Sequence, residues 1–183
     1  KPDILIFITQ DPKNNIPSKA EKLAYDLNLK SETFVTTLSM SCSSFPYAIF
    51  MINSLFNSTF FKSAMIVATE TYSKYLDKND QSTRLLFSDG ATATFIKKIS
   101  EDNIISYDFG HYGKGYDKII INDYYLKNNM LKQTLNMQGN DVFMFSINNI
   151  PKSIEKIQKK AKIRKFDLII VHQASKIVVD SIA

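Results

Sequence analysis

The only cysteine in this chain of 183 residues, Cys42, sits in the run Ser39-Met-Ser-Cys42-Ser-Ser-Phe-Pro-Tyr47. It falls between a β-branched stretch and an apolar stretch of helical length. A helix N-terminus carries partial positive charge and free amides, and both favour thiolate over thiol. The thiolate is the nucleophilic form, so this is a fit position for a cysteine that accepts an acyl group. A second reading is open, because unpaired cysteines are also among the most buried structural residues. The other reactive side chain is His172, in Ile169-Ile-Val-His172-Gln-Ala174. It is expected to end an apolar strand, where α/β sheets present ligand-facing residues. Cys42 and His172 are 172 − 42 = 130 residues apart and form a pair only if the fold unites them. The second histidine, His111, lies between Gly110 and Tyr112 and reads as a surface residue. One cysteine and two histidines give no metal-ligand spacing. The glycines of Gly110-His-Tyr-Gly113-Lys-Gly115 lack the spacing of a phosphate-binding loop.

The elements that must position these residues follow from periodicity. Residues 3–9 form an apolar run suited to a strand covered on both faces. Pro17-Ser18 opens a helix with Ala20, Leu23, Ala24 and Leu27 on one stripe. Thr33–Leu38 reads as a strand, and Ser43–Asn57 as a helix apolar nearly all round, hence mostly buried. Ala64–Thr69 is a further buried strand, and Phe87-Ser-Asp-Gly90 a turn into the strand Ala91–Ile96. Strands are expected around the glycine loop within residues 104–121. A helix from about Gly139 should kink or break at Pro151, which lacks an amide. Asp167–Val171 reads as a buried strand and Ala174 onward as helix. Strands alternating with helices imply helical layers about parallel or mixed sheets. The order βαβαβ…αβα hints at a duplicated unit.

Composition narrows the class. Hydrophobic residues make up 44% and charged residues 22%, the balance of a globular domain. No apolar run approaches the roughly 18 residues of a membrane span. A single thiol permits no internal disulfide and suits a reducing cytoplasm. The net charge of +5 comes largely from Lys156–Lys165 at a helix end, where cations are favoured. No nucleic-acid motif accompanies it, so neither nucleic acid nor membrane is expected as a partner. Lys1 in place of an initiator Met, and Ala183 within a helical pattern, suggest a piece of a longer protein.

Four motifs together carry a resemblance. Cys42-Ser-Ser-Phe-Pro-Tyr-Ala48 is similar to the nucleophile motif of the β-ketoacyl-acyl-carrier-protein synthase III family. Phe87-Ser-Asp-Gly-Ala91 resembles that family's glycine-rich turn, Gln138-Gly-Asn-Asp-Val-Phe143 the start of its pocket-lining helix, and His172-Gln-Ala174 its histidine motif. They occur in the family's order and near its spacing. The resemblance implies a thiolase-like layered αβαβα α/β fold, incomplete at both termini. Residues 1–183 would comprise the rest of the N-terminal half and the start of the C-terminal half.

It further implies a cytoplasmic homodimer acting on acyl-CoA and malonyl-acyl carrier protein. Coenzyme A and phosphopantetheine thioesters are then substrates, with no cofactor and no metal. Cys42 would take the acyl group and His172 would hydrogen-bond the malonyl thioester. Gly139, Phe143, Gln173 and Phe87 would line the substrate path, with Ile16 reaching the partner's acyl pocket. Several positions depart from the family. Ser44 and Ser88 replace glycines, and Gln81 and Ile177 replace arginines that contact coenzyme A and the carrier protein. The family's third catalytic residue, an Asn, would follow Ala183, so this piece alone should be inactive. Two alternatives stay open: an acyltransferase acting on amines or hydroxyls without decarboxylation, and an inactive partner subunit.

Overall fold

The structure, a computed structural model, describes residues 1–11, 16–58, 60–99, 104, 106–125 and 131–182, with Tyr124 and Tyr125 described by backbone alone. It divides into two compact units, Lys1–Thr71 with Asp89–Ile104, and Tyr72–Ser88 with Ile105–Ala183.

The first unit is built on β1 (Ile4–Ile8), an unbroken apolar strand in which every residue is buried. β2 (Phe34–Leu38) and β3 (Ser63–Thr71) pair with it in parallel, one on each side. β4 (Asp89–Lys97) adds to β3 antiparallel, giving the order β2-β1-β3-β4. Parallel neighbours need crossovers, and two helices supply them. α1 (Lys19–Asp26) links β1 to β2, and α2 (Ser44–Ser58) links β2 to β3.

Alternation along a strand decides which helix covers which face. Ile4, Ile6 and Ile8 join Ala64 and Ile66 of β3 and the Ala48, Ile52 and Phe56 stripe of α2 in one core. Leu5 shares the opposite face with its register partners Val35 and Met65, and so does Thr37. There the α1 cap residue Ser18 lies 2.8 Å from the Thr37 hydroxyl. α2 is less enclosed than its sequence implies. Ser44, Ala48, Ile52 and Phe56 are buried, whereas Phe45 is 45% exposed. The first unit covers one helical stripe, and an all-round apolar helix needs cover on more than one side.

In the second unit β5 (Ile119–Tyr125) and β6 (Leu131–Met137) form an antiparallel pair. The short α3 (Gln81–Arg84) packs against β6 and is capped by Asp80, whose carboxylate accepts from the Thr83 amide and the Ser82 hydroxyl. Those bonds pull the Asp80 carboxyl down to about 2. α4 (Gly139–Ala161) ends at a left-handed Lys162, and α5 (Lys176–Ile182) packs on it.

Three expectations for this unit are corrected. α4 does not break at Pro151 but continues through it as one helix of 23 residues, because the ring removes one amide and the remaining turns keep theirs. Before Ile119 the described residues of 104–118 hold no strand. Around the glycine loop the chain turns on Tyr112 to Gly115 and Gly113 to Tyr116 bonds instead. Asp167–Val171 is not a buried strand: Leu168 is 74% and Ile170 83% exposed, and no ladder forms. A strand exists only through a paired edge, and none meets this segment among the described residues. β6 was not foreseen from sequence.

One ionic clamp registers the first sheet at its amino end. The Asp3 carboxylate accepts from the Lys62 and Ser63 amides and the Ser63 hydroxyl, each at 2.9 Å. These bonds lower the Asp3 carboxyl below its ordinary 3.8. A lowered carboxylate stabilises the fold fully above its unfolded value, and that contribution fades as pH falls through the folded value. Asp3→Ala should therefore cost about 1–2 kcal/mol at pH 7. The gap from the parent protein should close below about pH 4, as read from denaturant midpoints at several pH values.

Candidate functional site

Cys42 is exposed, at the centre of a 3₁₀ turn, Ser41–Ser43, that joins the carboxyl end of β2 to α2. The carboxyl edge of a parallel sheet is where α/β folds gather their ligand-facing residues. The turn is sharp because Ser41 takes φ 54°, a left-handed conformation that costs a non-glycine residue about 1–2 kcal/mol. Such conformations persist where neighbouring bonds hold them, and they cluster at functional sites.

Side chains supply those bonds. Ser44, nearly fully buried, accepts from the Met40 amide at 2.8 Å. The Ser43 hydroxyl donates to the Met40 carbonyl at 2.6 Å. From the end of β1, the Gln10 side-chain amide donates to the Ser41 hydroxyl. The Gln10 backbone amide in turn donates to the Glu70 carboxylate of β3 at 2.7 Å. Burial raises the Glu70 carboxyl, opposed by the Gln10 bond; Asp11 raises it further and Lys19 lowers it. Beside this edge lies a cavity of about 470 Å³ lined by Thr9, Gln10, Asp11, Ser18, Lys19, Thr37 and Ser39. Lys19 pairs with Asp11 at 3.4 Å across it.

Of the sequence-selected residues, Ile16 belongs with Cys42 in the first unit. It is 95% exposed and precedes a cis peptide bond to Pro17. The others belong to the second unit. Phe87 is half-buried, its ring edge-on to Tyr72 at 5.1 Å. Gly139 opens α4 and Phe143 lies one turn on, half-buried. Gly139 lines a pocket with Ser82, the neighbour of Gln81. The start of α4 is anchored by Lys118, which bonds Asp141 at 2.9 Å and the Gln138 side-chain oxygen at 2.8 Å. His172 and Gln173 are exposed, and the Gln173 amide bonds back to the Val171 carbonyl at 3.1 Å. His172 thus follows a segment without regular secondary structure rather than ending a strand. Ile177, in α5, is 69% exposed. No group of three or more metal-ligating side chains occurs among the described residues.

Sequence reasoning missed Gln10, Ser41 and Glu70 as parts of the elbow. The serine-rich run around Cys42 was a signal of a side-chain-bonded turn, but nothing local announces a glutamine 31 residues away.

Comparison with known proteins agrees with this geometry. Residues 37–113, which contain the elbow, match the family model described as 3-oxoacyl-[acyl-carrier-protein] synthase III. The chain is 29% identical over 184 residues to a beta-ketoacyl-[acyl-carrier-protein] synthase III of Rickettsia rickettsii, covering 99% of this chain and 58% of that protein. The same-named protein of Limosilactobacillus reuteri is 29% identical over 190 residues, with the same coverage. A 3-oxoacyl-(acyl carrier protein) synthase III crystal structure from Pseudomonas aeruginosa superposes with a TM-score of 0.83 at 25% identity, over 99% of this chain and 57% of that one. The chain spans under three-fifths of the length of the curated relatives it matches. Fold and elbow define a protein of the thiolase-like α/β class. Within that class, the chain is similar to proteins of the 3-oxoacyl-[acyl-carrier-protein] synthase III family, whose model matches residues 37–113.

An exposed thiol at the entrance to a 15-residue helix should ionise readily. In the full-length protein, alkylation of Cys42 by iodoacetamide should titrate below the free-thiol value of about 8.5. Titration at or above that value would mark Cys42 as a structural residue.

Proposed function

We propose that the full-length protein is an acyl-thioester condensing enzyme that extends an acyl group by two carbons in fatty-acid-type synthesis. The observation that carries this reading is Cys42, exposed on a left-handed elbow at the carboxyl ends of the three parallel strands, inside the segment matched by the family model. The acyl donor is acyl-CoA and the extender malonyl-acyl carrier protein, so coenzyme A and phosphopantetheine thioesters enter as substrates. The cytoplasm, where a lone thiol stays reduced, is the compartment that suits this chemistry.

In the first half-reaction the Cys42 thiolate attacks the acyl thioester carbonyl. The oxyanion is met by backbone amides, that of Cys42 among them, and the thiol of the donor departs. In the second half-reaction the malonyl carbon–carbon bond breaks, carbon dioxide leaves and the electron pair becomes an enolate. His172, exposed and in its family motif, donates a hydrogen bond to that enolate's oxygen. The enolate carbon then attacks the acyl-Cys42 carbonyl, and the Cys42 thiolate leaves with its electron pair. The product is a 3-oxoacyl-acyl carrier protein. Gly139, Phe143, Gln173 and Phe87 are proposed to line the path of the substrates.

A homodimer is part of the proposal. β2 is the outer strand of its sheet and pairs only with β1 among the described residues, and an isologous partner would cover its second edge. Ile16, exposed beside α1, would then face the partner's acyl pocket. The full-length protein should sediment as a dimer at micromolar concentration, and a monomer would remove this element.

The chemistry is tested by separating its halves. Cys42→Ala should abolish formation of the acyl-enzyme seen by mass spectrometry, since it removes the one thiol of these 183 residues, while some malonyl decarboxylation persists. His172→Ala should keep acyl uptake and lower carbon dioxide release and condensation by about 10²–10³-fold, the weight of one oxyanion donor. If His172→Ala blocks acylation as fully as Cys42→Ala, the histidine is the base that activates the thiol, and transfer to an amine or hydroxyl becomes the better reading.

A further inference from the structure

Three features converge on the residue before the nucleophile. Ser41 is held at φ 54°, a region that favours glycine. The side-chain amide of Gln10 donates to the Ser41 hydroxyl at 2.5 Å across 31 residues of chain. Gln10 itself is fixed twice over. Its backbone amide bonds Glu70 on β3, and the preceding Thr9 amide bonds the Leu38 carbonyl at 3.2 Å, extending the β1–β2 ladder. The loop bearing the nucleophile is therefore tied to the two other parallel strands through one glutamine side chain. Without that tie only the Ser43 and Ser44 bonds to Met40 oppose the preference of a serine for the right-handed region, and the turn relaxes toward it. That relaxation would turn the Cys42 thiol away from its place at the entrance of α2.

We infer that Gln10 is a positioning residue for the nucleophile: its side-chain amide, through the Ser41 hydroxyl, holds the strained elbow that presents Cys42. The inference deepens the condensing reading but does not need it, because thiol presentation can be read without an acyl substrate. In this account Gln10 acts through Ser41.

The test uses the full-length protein and the pH-independent rate of Cys42 alkylation by iodoacetamide, with the thermal midpoint followed alongside. Gln10→Ala should slow alkylation by roughly two- to tenfold, the weight of one neutral hydrogen bond, with little change in midpoint. Ser41→Ala removes the acceptor, keeps the Cβ and leaves Gln10 in place, so it should slow the reaction by the same factor. The double variant should be no slower than either, since both delete one interaction. Gln10→Ala combined with Ser41→Gly should recover most of the lost rate, because glycine adopts the left-handed conformation without a tether. A merely structural role for Gln10 would not be relieved by glycine at 41. The inference is overturned if Ser41→Ala alkylates at the parent rate, if the two single losses add, or if Ser41→Gly fails to rescue Gln10→Ala. Alkylation requires no thioester, so these results stand apart from the acyl-uptake assays. Failure of the Cys42 and His172 pattern there would overturn the condensing reading alone.

Discussion

A strand buried on both faces must be covered twice, and the first unit is arranged to meet that demand for β1. Ile4, Leu5 and Ile6 are wholly inaccessible to solvent, with parallel neighbours on either side. Burying side chains of this size stabilises by about 1.5–3 kcal/mol each. That gain is available only if one helix lies over the isoleucine face and another over the Leu5 face. Parallel pairing requires such helices as crossovers in any case, so one constraint produces both the connectivity and the layers.

The elbow is a consequence of that arrangement. Chain leaving the carboxyl end of β2 must reverse within a few residues to start α2 over β1, and the reversal falls on Met40 to Ser44. A turn that tight drives Ser41 into the left-handed region. Its cost is offset by hydroxyl and amide bonds from Ser43, Ser44 and Gln10. The thiol is exposed for the same reason: the turn lies outside the sheet edge, while the buried stripe of α2 begins at Ser44. Packing of the strand thus sets the place of the nucleophile, and local polar bonds set its angle.

Charges gather where backbone ends need partners. Asp3 holds the amino edge of the sheet and Asp80 caps α3. Lys118 anchors the first turn of α4, and Asp108 receives Ser153 and Lys160 from its later turns. The basic run from Lys156 to Lys165 belongs to this pattern. Lys159 and Lys160 stand in the last turn of α4, where the helix dipole favours cations. Glu70 differs from these carboxylates. It is raised by burial rather than lowered by partners, and it sits at the functional edge.

Sequence alone determined the elements whose residues carry their own instructions. The apolar run of β1, the Ser18 cap of α1, the strand and helix on either side of Cys42, and the start of α4 at Gly139 were legible because periodicity and capping are local. The motifs around Cys42, Phe87, Gly139 and His172 were legible through their resemblance to a known family. The fate of Leu168 to Val171 was not, since an apolar run becomes a strand only when another edge meets it. Nor was the unbroken course of α4 through Pro151, which depends on how well its remaining turns hold. Tertiary structure alone decided the left-handed turn at Ser41 and the roles of Gln10 and Glu70 behind it. These arise where the ends of three parallel strands come side by side, and residues distant in sequence share hydrogen bonds only after the sheet has formed.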